Sequence, residues 1–194
     1  MINYLSFDIE DWFQVENFKS HVSRKDWDNF ELRVVGNTRR ILALLKTYNT
    51  KATFFVLGWI ARKCPELVKE IHQQGHEIAS HGFGHELVYK QTVEEFEKDI
   101  RGSKELLESI INQEVLGYRA PSFSITKDSL WAIDILKKAG FRYDSSIFPV
   151  SFHDRYGFEG MNNIPKRFEN GLLEIPISTF KVSESSMIPT PIFE

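Results

Sequence analysis

The chain has 194 residues, about the length of one domain, and 42% of them are hydrophobic while 26% are charged. This composition excludes a disordered or collagen-like protein. Lysine and arginine total 24 against 27 acidic residues, so the net charge is −3 and the basic excess of a nucleic-acid-binding protein is absent. We therefore expect one compact domain with no nucleic-acid partner.

The sequence also limits the metal chemistry and the location of the chain. A single cysteine, Cys64, excludes an internal disulfide and a cysteine-rich zinc site, so any metal must be held by histidines and carboxylates. The N-terminus is acidic and lacks the basic segment of a signal peptide. The longest apolar stretch, residues 52–61, is shorter than the about 20 residues of a membrane span. We expect no membrane span and, by default, a cytoplasmic protein, with membrane association as the alternative.

The first half of the chain predicts strands that alternate with helices. The predicted elements are a strand over residues 4–7, a helix from Asn37, a strand over residues 52–57 that runs into a turn, a helix from Pro65 ended by Gly75, and a strand over residues 76–79. Helical spacing of apolar residues gives the first helix its expected buried face: Ile41, Leu44, Leu45 and Tyr48.

The second half continues this alternation. Thr92 and Glu95 form a capping-box sequence at the start of a long amphipathic helix. Further elements follow as a strand over residues 115–118, a helix over 127–138 ended by Gly140, and strands over 141–143 and 172–177. Regular alternation predicts an α/β fold with a parallel sheet, either doubly wound or closed as a barrel. Residues 183–194, rich in serine and proline, are predicted to be an unstructured tail.

Chemically reactive residues follow four of the predicted strands. In parallel α/β folds the loops that follow the strands meet at the C-terminal ends of the strands, where ligands bind. The acidic residues Asp8, Glu10 and Asp11 follow the first strand, and the histidines His81 and His85 follow the third. Arg119 follows the fourth strand, and Asp144, Ser145 and Ser146 follow the fifth. Their coincidence at the strand ends indicates an active site.

His81 and His85 have the spacing of a metal-binding pair. Gly82 and Gly84 argue against the helix of a zinc protease, since each glycine costs about 1 kcal/mol inside a helix. In a loop the two imidazoles can still bind one divalent ion, with a carboxylate from the first strand as the third ligand. The alternative is a pair of solvent-exposed histidines beside a solvated acidic loop.

Longer strings resemble the polysaccharide deacetylases, the family-4 carbohydrate esterases, over about residues 3–177. In chain order these strings are Ser6-Phe7-Asp8, Thr53-Phe54-Phe55, His81-Gly82-Phe83-Gly84-His85, Arg119-Ala120-Pro121 and Asp144-Ser145-Ser146. Residues 8–13, 75–81, 118–125, 144–149 and 153–157 more narrowly resemble the subgroup linked to bacterial exopolysaccharide and exosortase loci.

This resemblance implies a distorted seven-stranded (β/α) barrel, here over residues 1–182, which holds one divalent ion, usually zinc. It makes His81 and His85 metal ligands and Asp8 the general base. The family motif has two adjacent aspartates, whereas Ile9 follows Asp8 here. Strand alternation sends Glu10 to the same side as Asp8, so Glu10 is the preferred third ligand and Asp11 the alternative.

The resemblance also assigns roles around the ion. Arg119 would keep Asp8 ionised and oriented, and a backbone N–H near Ser122 would meet the oxyanion. We place substrate contacts at Trp12, Pro121, Ser122, Phe123 and Asp144, and further sugar-stacking faces at Phe83, Phe148 and Tyr156. The alternative for each aromatic ring is ordinary packing in a loop or in the core.

One expected feature is absent from the sequence. The family takes its general acid from a Leu-x-His motif near the C-terminus, and no such motif follows Arg119. Among the remaining histidines, His153 is the best placed. With six predicted strands and 194 residues against about 250 for a closed barrel, we expect the last strand–helix unit to be missing. The open edge would favour dimerisation, and the oligomeric state is left open.

The function implied is metal-dependent hydrolysis of the N-acetyl group of an N-acetylhexosamine-containing polysaccharide, with release of acetate. The partner would be an acetylated polysaccharide or oligosaccharide. Two alternatives stay open: an allantoinase-like hydrolase of small amides with the same fold, and an inactive saccharide-binding fragment that lacks the general-acid histidine.

Overall fold

The computed structural model describes residues 4–150, 157, 158, 160–183 and 186–189, with the main chain alone for 180–183 and 186–189. The chain divides into two compact units. The first unit comprises Met1–His85 with Arg101–Val115, and the second comprises Glu86–Ile100 with Leu116–Glu194.

The first unit contains three parallel strands in the order β1, β2, β3, namely Ser6–Ile9, Thr53–Val56 and Glu77–Ser80. Asp8 of β1 is opposite Phe55, and Phe55 is opposite Ala79 of β3. The first strand begins two residues later than predicted, so Asp8 lies within it and Glu10 directly follows it. The predicted alternation of parallel strands and helices is confirmed in this unit.

Helices α1 (Val34–Thr47), α2 (Gly58–Lys63) and α3 (Pro65–Gln73) belong to the first unit. The buried face of α1 includes Leu42 and Leu45, whereas Leu44 and Tyr48 are 58% and 72% exposed. The buried face of α1 therefore differs from the predicted one, because the apolar residues of this helix do not all lie on one side. Each fully buried leucine or phenylalanine contributes about 1.5–3 kcal/mol to folding.

The second unit contains β4 (Gly117–Tyr118), β5 (Tyr143–Asp144), β6 (Lys166–Arg167) and β7 (Leu173–Glu174). Strand β5 lies between β4 and β7 and is parallel to both, while β6 is antiparallel to β7. Strand β6 was not predicted, since two exposed basic residues carry no apolar periodicity.

The helices of the second half are confirmed. Helix α4 spans Val93–Ile111, with its first turn held by the predicted capping box: the backbone N–H of Thr92 donates to Glu95 Oε2, and the N–H of Glu95 donates to Thr92 Oγ1. Helix α5 spans Trp131–Lys138, and Gly140 follows it with a φ of 89° that ends the helix.

The last described strands differ from the unstructured tail predicted over residues 183–194. Strand β8 (Thr179–Ser183) pairs antiparallel with β9 (Ser186–Pro189), so backbone hydrogen bonds order this part of the tail. His153 and Tyr156 lie outside the described residues. Among the described residues, no helix combines the length and the apolar character that a membrane span requires.

Candidate metal centre

Three side chains with metal-ligand chemistry meet in the first unit: Glu10, His81 and His85. Their ligand atoms lie within 4.8 Å of one another, and Glu10 Oε2 is 2.7 Å from His85 Nε2. The two histidines are only 1% and 4% exposed, which excludes the alternative of solvent-exposed histidines. Two imidazoles and one carboxylate are a donor set for a divalent ion such as zinc. The residues present therefore fit a single divalent cation.

The backbone between the two histidines brings their rings together. Gly82 and His85 have φ values of 71° and 54°, in the left-handed region, where a non-glycine residue costs about 1–3 kcal/mol. The N-terminus of α2 holds this loop: the N–H of Gly58 donates to Gly82 O at 2.8 Å and the N–H of Trp59 donates to Phe83 O at 3.0 Å. The first N–H groups of a helix have no partner within it, so α2 is free to bind the loop this way.

The charges within the cluster stabilise each other. Burial alone would raise the pKa of Glu10, but the neighbouring His85 and His81 lower it below its usual 4.5. Burial alone would lower the pKa of His85, but the Glu10 carboxylate raises it above its usual 6.5. A carboxylate kept ionised beside two imidazoles is electrostatically prepared for a cation.

Asp11, the alternative third ligand, is committed elsewhere. Its carboxylate accepts hydrogen bonds from the backbone N–H groups of Trp12, Arg33 and Val34 at 2.9, 2.7 and 2.9 Å. The last two residues begin α1, so Asp11 caps that helix. The structure brings Glu10, and not Asp11, to the histidines, as strand alternation predicted.

Asp8, the predicted general base, is half-buried in β1. Its charge raises the pKa of both Glu10 and His85, so its carboxylate lies close to the cluster. A further carboxylate, Glu16, was not predicted from the sequence and also raises the pKa of His85. Glu16 lies in a short 3-10 turn, Glu16–Phe18, and no motif distinguished it from an ordinary loop residue.

Arg119 follows β4 in the second unit, where it is almost fully buried. Its Nε donates to Ser145 O at 3.1 Å and its Nη2 donates to Ser145 Oγ at 2.9 Å. Its guanidinium lies 5.6 Å from the centre of the Phe123 ring. These contacts fix the direction of the Arg119 side chain.

Among the predicted substrate contacts of the second unit, Ser122 alone keeps appreciable exposure. Pro121 and Phe123 are buried, and Phe123 packs against Phe148 with ring centres 5.2 Å apart. Ser122 has a φ of 49°, a left-handed conformation in the short turn Pro121–Phe123. Phe123 and Phe148 thus belong to the apolar core of this unit, and the packing alternative holds for both.

Trp12, the predicted contact in the first unit, is half-buried in an aromatic cluster. Its ring lies edge-on to Phe13, Phe18 and Phe30, with centres 5.6, 5.8 and 5.3 Å apart. The guanidinium of Arg33 lies 5.6 Å from the same ring. This packing fixes the orientation of the Trp12 ring.

Asp144, also predicted to contact the substrate, is 0% exposed. This placement is a correction, since a buried carboxyl offers no surface to a polysaccharide. Asp144 in β5 is paired in register with Glu174 in β7, and both side chains are fully buried. Burial raises the pKa of both groups. Glu174 was not predicted as a partner of Asp144, because the pairing of these two residues depends on two strands that are distant in sequence.

Comparison with known proteins identifies the family. The family model for polysaccharide deacetylase matches residues 26–143. A peptidoglycan deacetylase of Helicobacter pylori is 32% identical over 117 residues, which cover 60% of this chain and 39% of that protein. A peptidoglycan-N-acetylglucosamine deacetylase of Bacillus cereus is 36% identical over 98 residues, which cover 50% of this chain and 36% of that protein.

Solved structures show the same fold. A protein from Mycobacterium smegmatis classed as a polysaccharide deacetylase superposes with a TM-score of 0.67 and 26% identity, over 90% of this chain and 58% of that one. The chain therefore belongs to the polysaccharide deacetylase family, and its α/β fold with mostly parallel strands is the fold of that family. It spans about two fifths of the curated relatives and less than two thirds of the solved chain that it matches.

Proposed function

We propose that the chain is the metal-binding part of a hydrolase that removes the N-acetyl group from an N-acetylhexosamine in a polysaccharide and releases acetate. The observation that carries this proposal is the buried cluster of Glu10, His81 and His85 in a member of the polysaccharide deacetylase family. A hydrolase of amides needs an electrophilic catalyst and a base, and the cluster with its neighbouring carboxylate offers the groups for both.

Glu10, His81 and His85 would hold one divalent ion, for which zinc is our first choice because both neutral imidazole and carboxylate are zinc ligands. Such an ion, when bound, polarises a carbonyl group and lowers the pKa of a bound water. Asp8 acts as the base that accepts the proton of the attacking water. The close position of Asp8 to the cluster supports this role.

Two groups of the second unit complete the proposed machinery. Arg119 keeps Asp8 ionised, a role supported by the fixed direction and near-complete burial of its guanidinium. A backbone N–H near Ser122 stabilises the oxyanion of the tetrahedral intermediate. The strained φ of Ser122 supports a functional role, since strained residues concentrate at functional sites.

For the substrate, we infer a glycan that contains N-acetylglucosamine or a related N-acetylhexosamine. Two relatives are named for deacetylation of peptidoglycan, and one of these names specifies N-acetylglucosamine. The strings shared with the subgroup linked to exopolysaccharide and exosortase loci point to a bacterial exopolysaccharide instead. We propose the exopolysaccharide and use peptidoglycan as the competing substrate.

The test combines metal binding with acetate release. We titrate three metal-stripped proteins with zinc by calorimetry: wild type, His81→Ala and Asp8→Asn. The same proteins, loaded with zinc, are then assayed on N-acetylated exopolysaccharide, chitin oligomers and peptidoglycan. We expect one tight site in wild type and Asp8→Asn, its loss in His81→Ala, and acetate release by wild type with a kcat that falls about 10²- to 10⁴-fold in Asp8→Asn.

The other outcomes separate the competing functions. Hydrolysis of allantoin without acetate release would indicate the allantoinase-like activity. Glycan binding without turnover in zinc-loaded wild type would indicate an inactive saccharide-binding fragment. A folded wild type that binds no zinc would contradict the proposed metal centre.

A further inference from the structure

Two carboxyl groups are buried side by side in the second unit, away from the metal ligands. Asp144 and Glu174 occupy paired positions on the parallel strands β5 and β7, and both are 0% exposed. Two ionised carboxylates in contact inside a protein repel each other strongly. The pair therefore requires either a cation or a shared proton.

The hydrogen bonds of the pair indicate a shared proton. Asp144 Oδ1 accepts from Ser146 Oγ at 2.5 Å, and Glu174 Oε1 accepts from the N–H of Ile147 at 3.0 Å. The second oxygens, Asp144 Oδ2 and Glu174 Oε2, have no other donor among the described residues. A proton shared between these two oxygens gives each of them a partner and removes the repulsion between two buried charges.

Glu174 is the better candidate to carry this proton. Asp144 accepts hydrogen bonds from the Ser146 hydroxyl and from the backbone of Ser145 and Ser146. These hydrogen bonds favour the ionised form of Asp144 and partly offset the rise in its pKa that burial causes. For Glu174, burial is the largest effect and holds its pKa well above 4.5, with the neighbouring Asp144 charge raising it further. When protonated, Glu174 can donate a hydrogen bond to an ionised Asp144.

This pair is linked by hydrogen bonds to the segment that carries Arg119. Ser146 Oγ donates to Asp144 and accepts from the N–H of Ala120 at 2.7 Å. Ala120 follows Arg119 and precedes the turn Pro121–Phe123. Ile175 directly follows β7, and its carbonyl oxygen accepts from Ser145 Oγ at 2.8 Å, while Ser145 accepts both hydrogen bonds from the arginine.

We propose that Asp144 and Glu174 form a single acid–carboxylate pair that positions Arg119 and the following turn for deacetylation. The proposal rests on the proposed function, in which Arg119 acts on Asp8. Asp144 and Glu174 are positioning residues, because they act through Ser146, Ala120 and Ser145. Arg119, which follows β4, lies close enough to lower the pKa of Glu174, and the Tyr118 hydroxyl lies close enough for Asp144 to raise its pKa.

The first test compares Glu174→Gln with Glu174→Met in the zinc-loaded protein. The glutamine amide can donate to Asp144 and its carbonyl can accept from Ile147, so it mimics the protonated acid, whereas methionine leaves Asp144 Oδ2 without a donor. We expect kcat to fall at least about tenfold in Glu174→Met with KM and zinc affinity little changed, and glutamine to rescue most of that loss.

Two controls separate positioning from a general loss of structure. Glu169→Gln changes an exposed carboxylate of the same unit and should leave kcat unaltered. The alkaline limb of the kcat–pH profile should move or vanish in Glu174→Gln, because the amide has no proton to lose. A purely structural role would alter the melting temperature but not this profile. Equal loss of kcat in the glutamine and methionine variants would overturn the proposal.

Two further measurements test the proposal even if Glu174→Met does not fold or if wild type is inactive. The carboxyl carbon resonance that disappears in Glu174→Gln should report an acid that stays protonated in wild type above pH 4.5, and titration of this resonance at or below pH 4.5 would overturn the shared proton. Ser146→Ala keeps the pair and removes its link to Ala120, so kcat should fall several-fold with this resonance unchanged. An inactive wild type with a protonated Glu174 would defeat the proposed function and leave the pair intact.

Discussion

At the scale of single residues, the neighbouring carboxylates of Glu10 and Asp11 have different partners. Glu10 contacts His85, whereas Asp11 accepts three backbone hydrogen bonds and caps α1. Successive side chains that follow a strand point in opposite directions, so one of the two reaches the histidines and the other the start of the next helix. The acidic string thus combines a candidate metal ligand, Glu10, with a helix cap, Asp11.

Substitutions of Asp11 and Glu10 should have different effects on stability and on zinc binding. Asp11→Ala should lower the free energy of unfolding by about 1–2 kcal/mol, since a cap is lost, and leave zinc affinity within about twofold. Glu10→Ala should abolish tight zinc binding. Urea unfolding of the metal-stripped proteins measures the first effect and calorimetry the second. Loss of zinc binding in Asp11→Ala with retention in Glu10→Ala would reverse the ligand assignment.

The buried pair gives stability a dependence on pH with a defined sign. The raised pKa of Glu174 means that, above about 4.5, the folded state holds a proton that the unfolded state has lost. The free energy of unfolding therefore falls as pH rises from 4.5 toward the raised pKa, with a slope of at most about 1.4 kcal/mol per pH unit. Urea titrations of wild type and Glu174→Gln across this range should show a flatter slope in the variant, and equal slopes would contradict the shared proton.

At the scale of elements, local signals identified long helices but not short buried ones. The capping box at Thr92 and Glu95 correctly predicted α4. Helix α2 was predicted as a turn, because Gly58, Trp59, Ile60 and Ala61 are all buried and leave no polar face to reveal the helical period.

The same distinction holds for the site. Glu10 and the two histidines follow from strand ends and alternation, which are local patterns. The pairing of Asp144 with Glu174 depends on the register of β5 and β7, and the intervening residues contain no signal for that register. Long-range strand pairing is the part of this site that one sequence could not supply.

Glycine at position 58 lets α2 approach the loop that carries His81 and His85. A Cβ on Gly58 would lie 2.6 Å from the Phe83 ring and 3.0 Å from its Cα, whereas a Cβ on Gly84 would meet the movable guanidinium of Arg24. Gly58→Ala should therefore shift the loop and weaken zinc binding about tenfold, and Gly84→Ala should change it much less. Calorimetry measures the zinc affinity of both variants, and equal affinities would contradict this prediction.

At the scale of the whole molecule, the proposed functions are distributed over the two units. All three candidate metal ligands belong to the first unit, while Arg119, Ser122 and the buried carboxyl pair belong to the second. Helix α4 is divided between the units after Ile100. The proposed function therefore places metal binding in the first unit and the proposed roles of Arg119 and the backbone near Ser122 in the second.

This distribution predicts that variants of the second unit lose turnover without losing zinc. Arg119→Met removes the charge that we propose keeps Asp8 ionised, so kcat should fall about 100-fold while zinc affinity stays within about twofold. Arg40→Met, an exposed arginine of α1, is the control and should alter neither quantity. Zinc at about 100 times its dissociation constant should stabilise Arg119→Met by about 2.7 kcal/mol, as in wild type, because its ligands are intact. If zinc affinity fell together with kcat, the metal site would depend on Arg119, and the separation of the two functions would be wrong.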